Sequence, residues 1–249
     1  MTIKEIIEIG SIMILGGIIQ SSSGFGYGLF ALPLLLFFGF PLPVAVMIII
    51  TGSGIQKIAA VKVLADNFDW KELFPYMGTG LLALPIGIYL MFSATNLDQS
   101  LIKQIIGGCI ILLLLLRWQG LIRTRDHIAP IWGHIASFWS GLLNGFANIG
   151  GPPLVIWTLS HRWPNEKMRV VLLAFSLIFV PFQLILMPIV FGAPVIGAFI
   201  KSLILSPFVL LGTWLGLRVG AKITQHQLKL YMQLLLIIIA LTSILKPSF

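Results

Sequence analysis

Charged side chains are scarce in this chain. They make up 10% of its 249 residues, whereas 58% are hydrophobic; a soluble domain carries roughly 25% charged residues. Hydrophobic runs recur from one end of the sequence to the other. This composition excludes a soluble enzyme, a disordered tail and a nucleic-acid-binding module, and it predicts an all-α polytopic membrane protein.

The sequence has a single cysteine, and almost no carboxylates lie inside the hydrophobic runs. The single cysteine, Cys109, can form neither an internal disulfide nor a metal cluster. The 8 Asp and Glu residues lie in loops or near the ends of the runs, which argues against a proton relay or an acidic sodium site. No H-E-x-x-H, G-x-S-x-G or P-loop motif is present. We therefore expect no enzymatic activity, no cofactor and no metal.

Ten hydrophobic runs are interpreted as helical segments. Crossing a bilayer takes about 20 residues, so the second and seventh runs are too short unless the broken segments before them extend the helix. The runs cover residues 3–20, 29–40, 44–63, 73–92, 101–116, 131–146, 154–159, 170–191, 200–217 and 228–245.

The two halves of the chain resemble each other. Gln20 precedes Asn144 by 124 positions, and a glycine follows each amide six residues later. In both halves a glycine-rich break separates a long run from a short one, and three more runs follow. We interpret this pattern as two inverted repeats of about five helical segments each, residues 1–124 and 125–249, with broken helices at the repeat interface.

Positive charge sets the expected orientation. If all ten runs cross the membrane, 12 Lys and Arg residues lie on one side and 4 on the other. If each short run instead shares one crossing with the run before it, 9 of these residues lie on one side and 7 on the other. Cytoplasmic loops carry the excess of Lys and Arg. The first arrangement is therefore favoured, in the cell inner membrane and with both termini outside the cytoplasm.

A reporter fused after Phe249 tests this orientation. We expect a periplasmic or extracellular signal, because an even number of crossings returns the chain to the side on which it began. A cytoplasmic reporter would contradict the arrangement with ten crossings.

The two breaks form the candidate binding site. A helix that begins in the first break points unpaired backbone N–H groups and the positive end of its dipole at an anion, and amide and hydroxyl side chains add neutral donors. The competing interpretation is close helix packing through small residues. The expected substrate-binding residues are Gln20, Ser21, Ser22, Ser23, Gly24, Phe25, Gly26, Tyr27, Asn144, Asn148, Gly150, Gly151 and Pro152.

Four more residues attract attention. Lys57 and Arg169 are candidates for drawing anions to the inner mouth, against the alternative that they only anchor the cytoplasmic face. Trp157 is a candidate for sealing the pocket. Gln183, in the middle of the eighth run, is expected to form a hydrogen bond between helices.

Two motifs in the breaks carry a family resemblance. They are GIIQSSSGFG at residues 17–26, with Pro33 beyond it, and GLLNGFANIGGPP at residues 141–153. With NFDW at 67–70 and KMR at 167–169, they make the chain resemble the sulfite exporter TauE/SafE family of membrane permeases. The resemblance implies a secondary transporter of sulfite, thiosulfate, sulfoacetate or related organosulfonates.

The expected function is export of such an anion by alternating access. Moving one negative charge out of an inside-negative cell gains ~2.3 kcal/mol per 100 mV. The alternatives are an anion channel, a membrane scaffold that transports nothing, and an importer of the same anions. The expected partners are the small anion and the lipid bilayer, with no nucleic acid, and the protein is either a monomer or a homodimer.

Overall fold

The computed structural model describes residues 2–64, 69–95 and 128–222, which form nine α-helices, a 3-10 turn at Trp70–Glu72 and no strand. The predicted all-helical membrane fold is confirmed. The helices are α1 (Ile3–Ser23), α2 (Tyr27–Phe37), α3 (Leu42–Leu64), α4 (Phe74–Ala94), α5 (Pro130–Ala147), α6 (Gly151–Leu159), α7 (Asn165–Phe191), α8 (Ala193–Ile204) and α9 (Ser206–Lys222).

Four of the described helices are long and apolar enough to cross a membrane, namely α1, α3, α4 and α7. A fifth span results if α8 and α9, which are bent by 57° at their junction, cross together. By contrast, α2 has 11 residues and α6 has 9, so neither reaches the roughly 20 residues of a full span. The fifth and tenth runs lie outside the described residues, and the topology with ten crossings stays a prediction.

The predicted boundaries of the ninth run, residues 200–217, are wrong. The structure has two helices here: α8 ends at Ile204 and α9 begins at Ser206. Pro207 lies in the first turn of α9, where its missing N–H and fixed φ are tolerated, but it would disrupt a helix that continued from α8. Gly192, with φ +69°, separates α7 from α8 in a conformation that suits glycine.

Both breaks begin with the same backbone turn. The cap of α1 is Gly24, which has φ +86° and donates its N–H to the Gln20 carbonyl at 2.7 Å. The cap of α5 is Asn148, which has φ +52° and donates to the Asn144 carbonyl at 3.0 Å. Left-handed caps of this kind end a helix. The two caps are 124 positions apart, and so are the first residues of α2 and α6.

Helix α1 packs along α9 through glycines. Gly212 faces the carbonyl of Ile14, and Gly216, one turn further on, faces the carbonyl of Ile18. A Cβ on either glycine would overlap the opposing backbone. Because the contacts advance in the same direction along both helices, α1 and α9 are parallel, and their spacing of four residues is the small-residue pattern of membrane helix pairs.

Helix α4 packs along α5 in the same way. Gly141 faces the carbonyl of Gly80, and Gly145 faces that of Leu84. This pair is therefore also parallel, with the glycines of α5 spaced four residues apart on the contact face. The two tight pairs hold α1 and α5, which end at the two breaks.

Helix α3 lies deepest in the structure. About 78% of its most apolar stretch is buried, compared with 39% for α4. Large apolar side chains on other helices, such as Leu82 and Ile189, point outward, as expected of a surface that faces lipid. The central position of α3 brings its residues next to the ends of α1 and α5.

Candidate anion site at the two helix breaks

The two breaks touch each other. Gly28, in the first turn of α2, lies so close to the Asn148 carbonyl that a Cβ would overlap it. Nearby, a Cβ on Gly151 would lie 3.2 Å from that of Phe25. Glycine permits this approach because it has no side chain. The structure thus brings together the two segments that the sequence singled out.

A small cavity lies at this junction. Its walls come from the two breaks and from α1, α2, α3, α5, α6 and α7, and its volume is about 20 Å³. That volume accommodates about one water molecule. The cavity is therefore small, and polar atoms from both halves of the chain meet around it.

Three side chains at the cavity carry a buried polar atom without a hydrogen-bond partner among the described residues. The atoms are Gln20 Oε1, the Tyr27 hydroxyl oxygen and Asn148 Nδ2, and all three residues are more than nine-tenths buried. Leaving such a group unpaired costs about 1–3 kcal/mol. A polar ligand in the cavity would supply the missing hydrogen bonds.

Lys57 brings a positive charge to the same cavity. Its side chain is only 2% exposed, and Nζ donates to Ser53 Oγ, one turn earlier on α3, at 3.3 Å. An ammonium group has three donors, and no carboxylate lines the cavity in the described part of the chain. Because a cation without a counter-ion is costly inside a membrane protein, this arrangement favours the binding of an anion.

The first turn of α2 adds to the positive potential. Gly26 caps this helix without a side-chain hydrogen bond, and the first N–H groups of a helix have no partner within it. Residues 25–29 line the cavity, so the positive end of the α2 dipole lies there. The contribution of α6 is smaller, because Pro152 and Pro153 in its first turn have no N–H.

Comparison with known families agrees with this geometry. The family model described as sulfite exporter TauE/SafE matches residues 9–243, nearly the whole chain. The chain belongs to the TauE/SafE family. No curated protein and no solved structure matches it. Family membership makes this a membrane transporter of the sulfite-exporter type and not an enzyme.

In this TauE/SafE protein the cavity collects about half of the residues that the sequence selected. The predicted residues that line it are Gln20, Phe25, Gly26, Tyr27, Lys57, Asn144, Asn148 and Gly151. Asn144 also donates from Nδ2 to the Ser140 carbonyl at 3.0 Å, and Gly150 packs so closely on this amide that a Cβ would overlap it. The remaining predicted residues lie outside the cavity wall.

The three serines of the first break stabilise the end of α1. Ser22 Oγ and Ser23 Oγ donate to the Ile19 carbonyl at 3.0 and 2.7 Å. Ser21 Oγ accepts a hydrogen bond from Gln56 Nε2 of α3 at 2.8 Å. None of the three lines the cavity, and neither do Gly24 and Pro152, so a role of these five residues in binding stays a prediction.

Arg169 and Trp157 also lie outside the cavity wall. The Arg169 guanidinium donates to the Ser21 carbonyl, where its charge complements the negative end of the α1 dipole. Trp157 packs edge to face against Tyr76 and Trp163, with ring centroids 5.1 and 5.6 Å apart. A gating role for either residue stays a prediction.

The sequence interpretation missed several lining residues and underestimated the depth of one. Ser53 and Ser176 line the cavity from the middle of α3 and α7. Leu29 also lines it, as do Gly28 and Ile149, which lie within the two predicted breaks. Lys57 is deeply buried and lines the cavity, and its role in drawing anions to the inner mouth stays a prediction. The available signal was the Gly-Ser-Gly triplet at residues 52–54, an unusually polar point in an apolar run and one turn before the lysine.

The prediction for Gln183 is confirmed. Its Nε2, on α7, donates to the Asn144 carbonyl of α5 at 2.8 Å. This hydrogen bond fastens α7 to the end of α5 beside the second break. No group of three or more His, Cys, Asp or Glu residues is placed to hold a metal ion in the part of the chain that the structure describes.

Proposed function

We propose that this protein exports small sulfur-containing anions and binds them in the cavity between the two breaks. The observation that carries the proposal is Lys57, which is buried and has no counter-ion among the described residues, beside the unpartnered Asn148 Nδ2 and Tyr27 hydroxyl. Oxygen atoms of sulfite, thiosulfate or a sulfonate accept hydrogen bonds from amide and backbone N–H groups. Their negative charge pairs with the ammonium group.

The cavity has to enlarge before it takes such an anion. Its volume of about 20 Å³ suits one water molecule, whereas sulfite has four heavy atoms. Lys57 and Gln20 come from the first half of the chain, and Asn144 and Asn148 come from the second. We propose that the halves separate and close around the anion, which is the motion of alternating access.

Matching contacts support the proposal of two repeats, residues 1–124 and 125–249. Gly87 of α4 faces the Leu142 carbonyl of α5, and Gly216 of α9 faces the Ile18 carbonyl of α1. The two glycines are 129 positions apart and the two carbonyls 124, so the same contact occurs twice, each time between a helix of one half and a helix of the other. Duplicated contacts of this kind are expected if one ancestral unit was copied, and we propose that the copies are inverted.

The direction of transport follows from charge. A singly charged anion that leaves an inside-negative cell gains ~2.3 kcal/mol per 100 mV. No carboxylate lines the cavity in the described part of the chain, so no acidic side chain there is available to bind a coupling proton or sodium ion. We propose an exporter of the inner membrane that is driven by the membrane potential.

Flux measurements on reconstituted protein test the proposed function. Proteoliposomes loaded in parallel with sulfite, thiosulfate or sulfoacetate should release at least one of these anions at a rate that saturates with its concentration and rises with the imposed potential. A scaffold gives no flux, a channel gives a flux that saturates poorly, and an electroneutral, strictly proton-dependent flux contradicts potential-driven export. Uptake against the potential would identify an importer.

Removal of one amide from each break tests the paired site. We expect Gln20→Ala and Asn144→Ala each to weaken anion binding about tenfold, because each removes hydrogen bonds to a buried charged ligand. The matched control is Ser22→Ala, since this hydroxyl bonds only within α1 and lies outside the cavity. Binding constants from calorimetry in nanodiscs decide the matter, and normal binding by both variants would refute the paired site.

A further inference from the structure

One basic side chain lines the cavity at the breaks in the described part of the chain. Among the described residues that line it, Lys57 alone is ionisable apart from the hydroxyl of Tyr27. The nearby cation Arg169 is not part of the wall and donates to the Ser21 carbonyl at the end of α1. All other polar groups around the cavity are amides, hydroxyls and backbone N–H groups, which carry no net charge.

A site with one basic side chain discriminates between ligands of different charge when that side chain is protonated. Among the described residues Lys57 Nζ donates to Ser53 Oγ alone, so an anion with one negative charge fills the remaining donors of the ammonium group and neutralises it. A second negative charge would remain uncompensated in a low-dielectric interior, which is unfavourable. Neutral donors such as Asn148 Nδ2 stabilise oxygen atoms but do not offset a full charge.

We infer that, among the proposed substrates, the cavity selects anions that bear one negative charge, such as the hydrogensulfite present in a sulfite solution and monovalent sulfonates, over dianions such as thiosulfate and the fully deprotonated sulfite ion. This inference rests on the proposed function, since it assigns the substrate class of the same cavity. It also explains how a bound anion is occluded: the pair formed with Lys57 is neutral, and closing the cavity over a neutral pair avoids burying an isolated charge.

Two nearly isosteric probes separate charge from shape. Methanesulfonate is a monoanion throughout the neutral range, whereas methylphosphonate passes from a monoanion to a dianion near neutral pH. The affinity of each is measured by competition against radiolabelled sulfite on the protein in nanodiscs at several pH values. Methanesulfonate serves as the control for any effect of pH on the protein itself.

We expect methylphosphonate to bind like methanesulfonate as a monoanion and about 30-fold more weakly as a dianion. The inference would be overturned if the ratio of the methylphosphonate affinity to the methanesulfonate affinity did not change with pH, or if methylphosphonate bound more tightly as a dianion. So would failure of both probes to compete while sulfite still binds. If no sulfur anion binds at all, the proposed function itself fails, and the two failures are therefore distinguishable.

A neutral analogue provides the second arm. Dimethyl sulfone has the shape of methanesulfonate without its charge. The native protein should prefer methanesulfonate, and Lys57→Gln should reverse that preference while still binding the sulfone, which also shows that the variant is folded. If Lys57→Gln does not fold, the test rests on the native protein, which should bind methanesulfonate more tightly than dimethyl sulfone. An unchanged preference in a folded variant, or a native preference for the sulfone, would contradict selection by Lys57.

Discussion

Replacing Lys57 by glutamine is expected to reduce anion flux about 100-fold or more, because it removes the one basic side chain that lines the buried site in the described part of the chain. The side chain is 2% exposed and lines the cavity between the breaks. Glutamine has a similar length and keeps an N–H donor, so the change removes chiefly the charge. Initial rates of sulfite efflux from proteoliposomes, corrected for the amount of reconstituted protein, give the measurement.

The matched control for this substitution lies on the same helix. Lys62 is in the last turn of α3, is exposed, and does not line the cavity. Lys62→Gln also removes one positive charge, so it reproduces any general effect on surface potential or insertion, and we expect a flux within about twofold of the native value. Equal losses in both variants would show that net charge matters and not the cavity.

The breaks were predictable from the sequence because their signals are local. A glycine at a left-handed cap, such as Gly24, and prolines at a helix start, such as Pro152, act through the backbone of their own segment. The same is true of the amides Gln20 and Asn144, which stand at fixed distances before those caps. The 124-residue spacing of the breaks therefore reappears in the helix boundaries of the structure.

The depth of Lys57 was not predictable, because it depends on tertiary packing. Position along a long apolar run does not reveal which face of the helix turns inward when all faces are apolar. Lys57 stands seven residues before the end of α3 and resembles an ordinary cytoplasmic anchor. Only the central location of α3, with α1 and α5 ending beside it, places the ammonium group in the cavity.

The hydrogen-bond partners of the serines in the first break were also not predictable from the sequence. The hydroxyl groups of Ser21, Ser22 and Ser23 are chemically suited to bind an anion. In the structure, those of Ser22 and Ser23 donate hydrogen bonds to a carbonyl near the end of α1, and that of Ser21 accepts one from α3. Serine in a membrane helix has two alternatives, backbone bonding and ligand binding, and the sequence does not distinguish them.

The close contact between α4 and α5 leads to the second large effect. We expect Gly141→Ala to destabilise the protein by about 3 kcal/mol or more. The Cβ of the alanine would overlap the Gly80 carbonyl, and a backbone group cannot move aside as a flexible side chain can. The expected result is a marked loss of folded protein in detergent and a lower apparent melting temperature, measured by thermal unfolding with a thiol-independent fluorescence readout.

Gly78→Ala is the matched control, since Gly78 is on α4, two residues before Gly80, and has open space around it. Alanine is the better helix former by about 0.5–1 kcal/mol, so this variant should be neutral or slightly more stable.

Gly17→Ala extends the test to the other tight pair. A Cβ there lies 3.0 Å from the Val209 carbonyl, so a smaller loss than at Gly141 is expected. If Gly141→Ala and Gly78→Ala have the same stability, the tight packing that positions the second break is not what holds α5 in place.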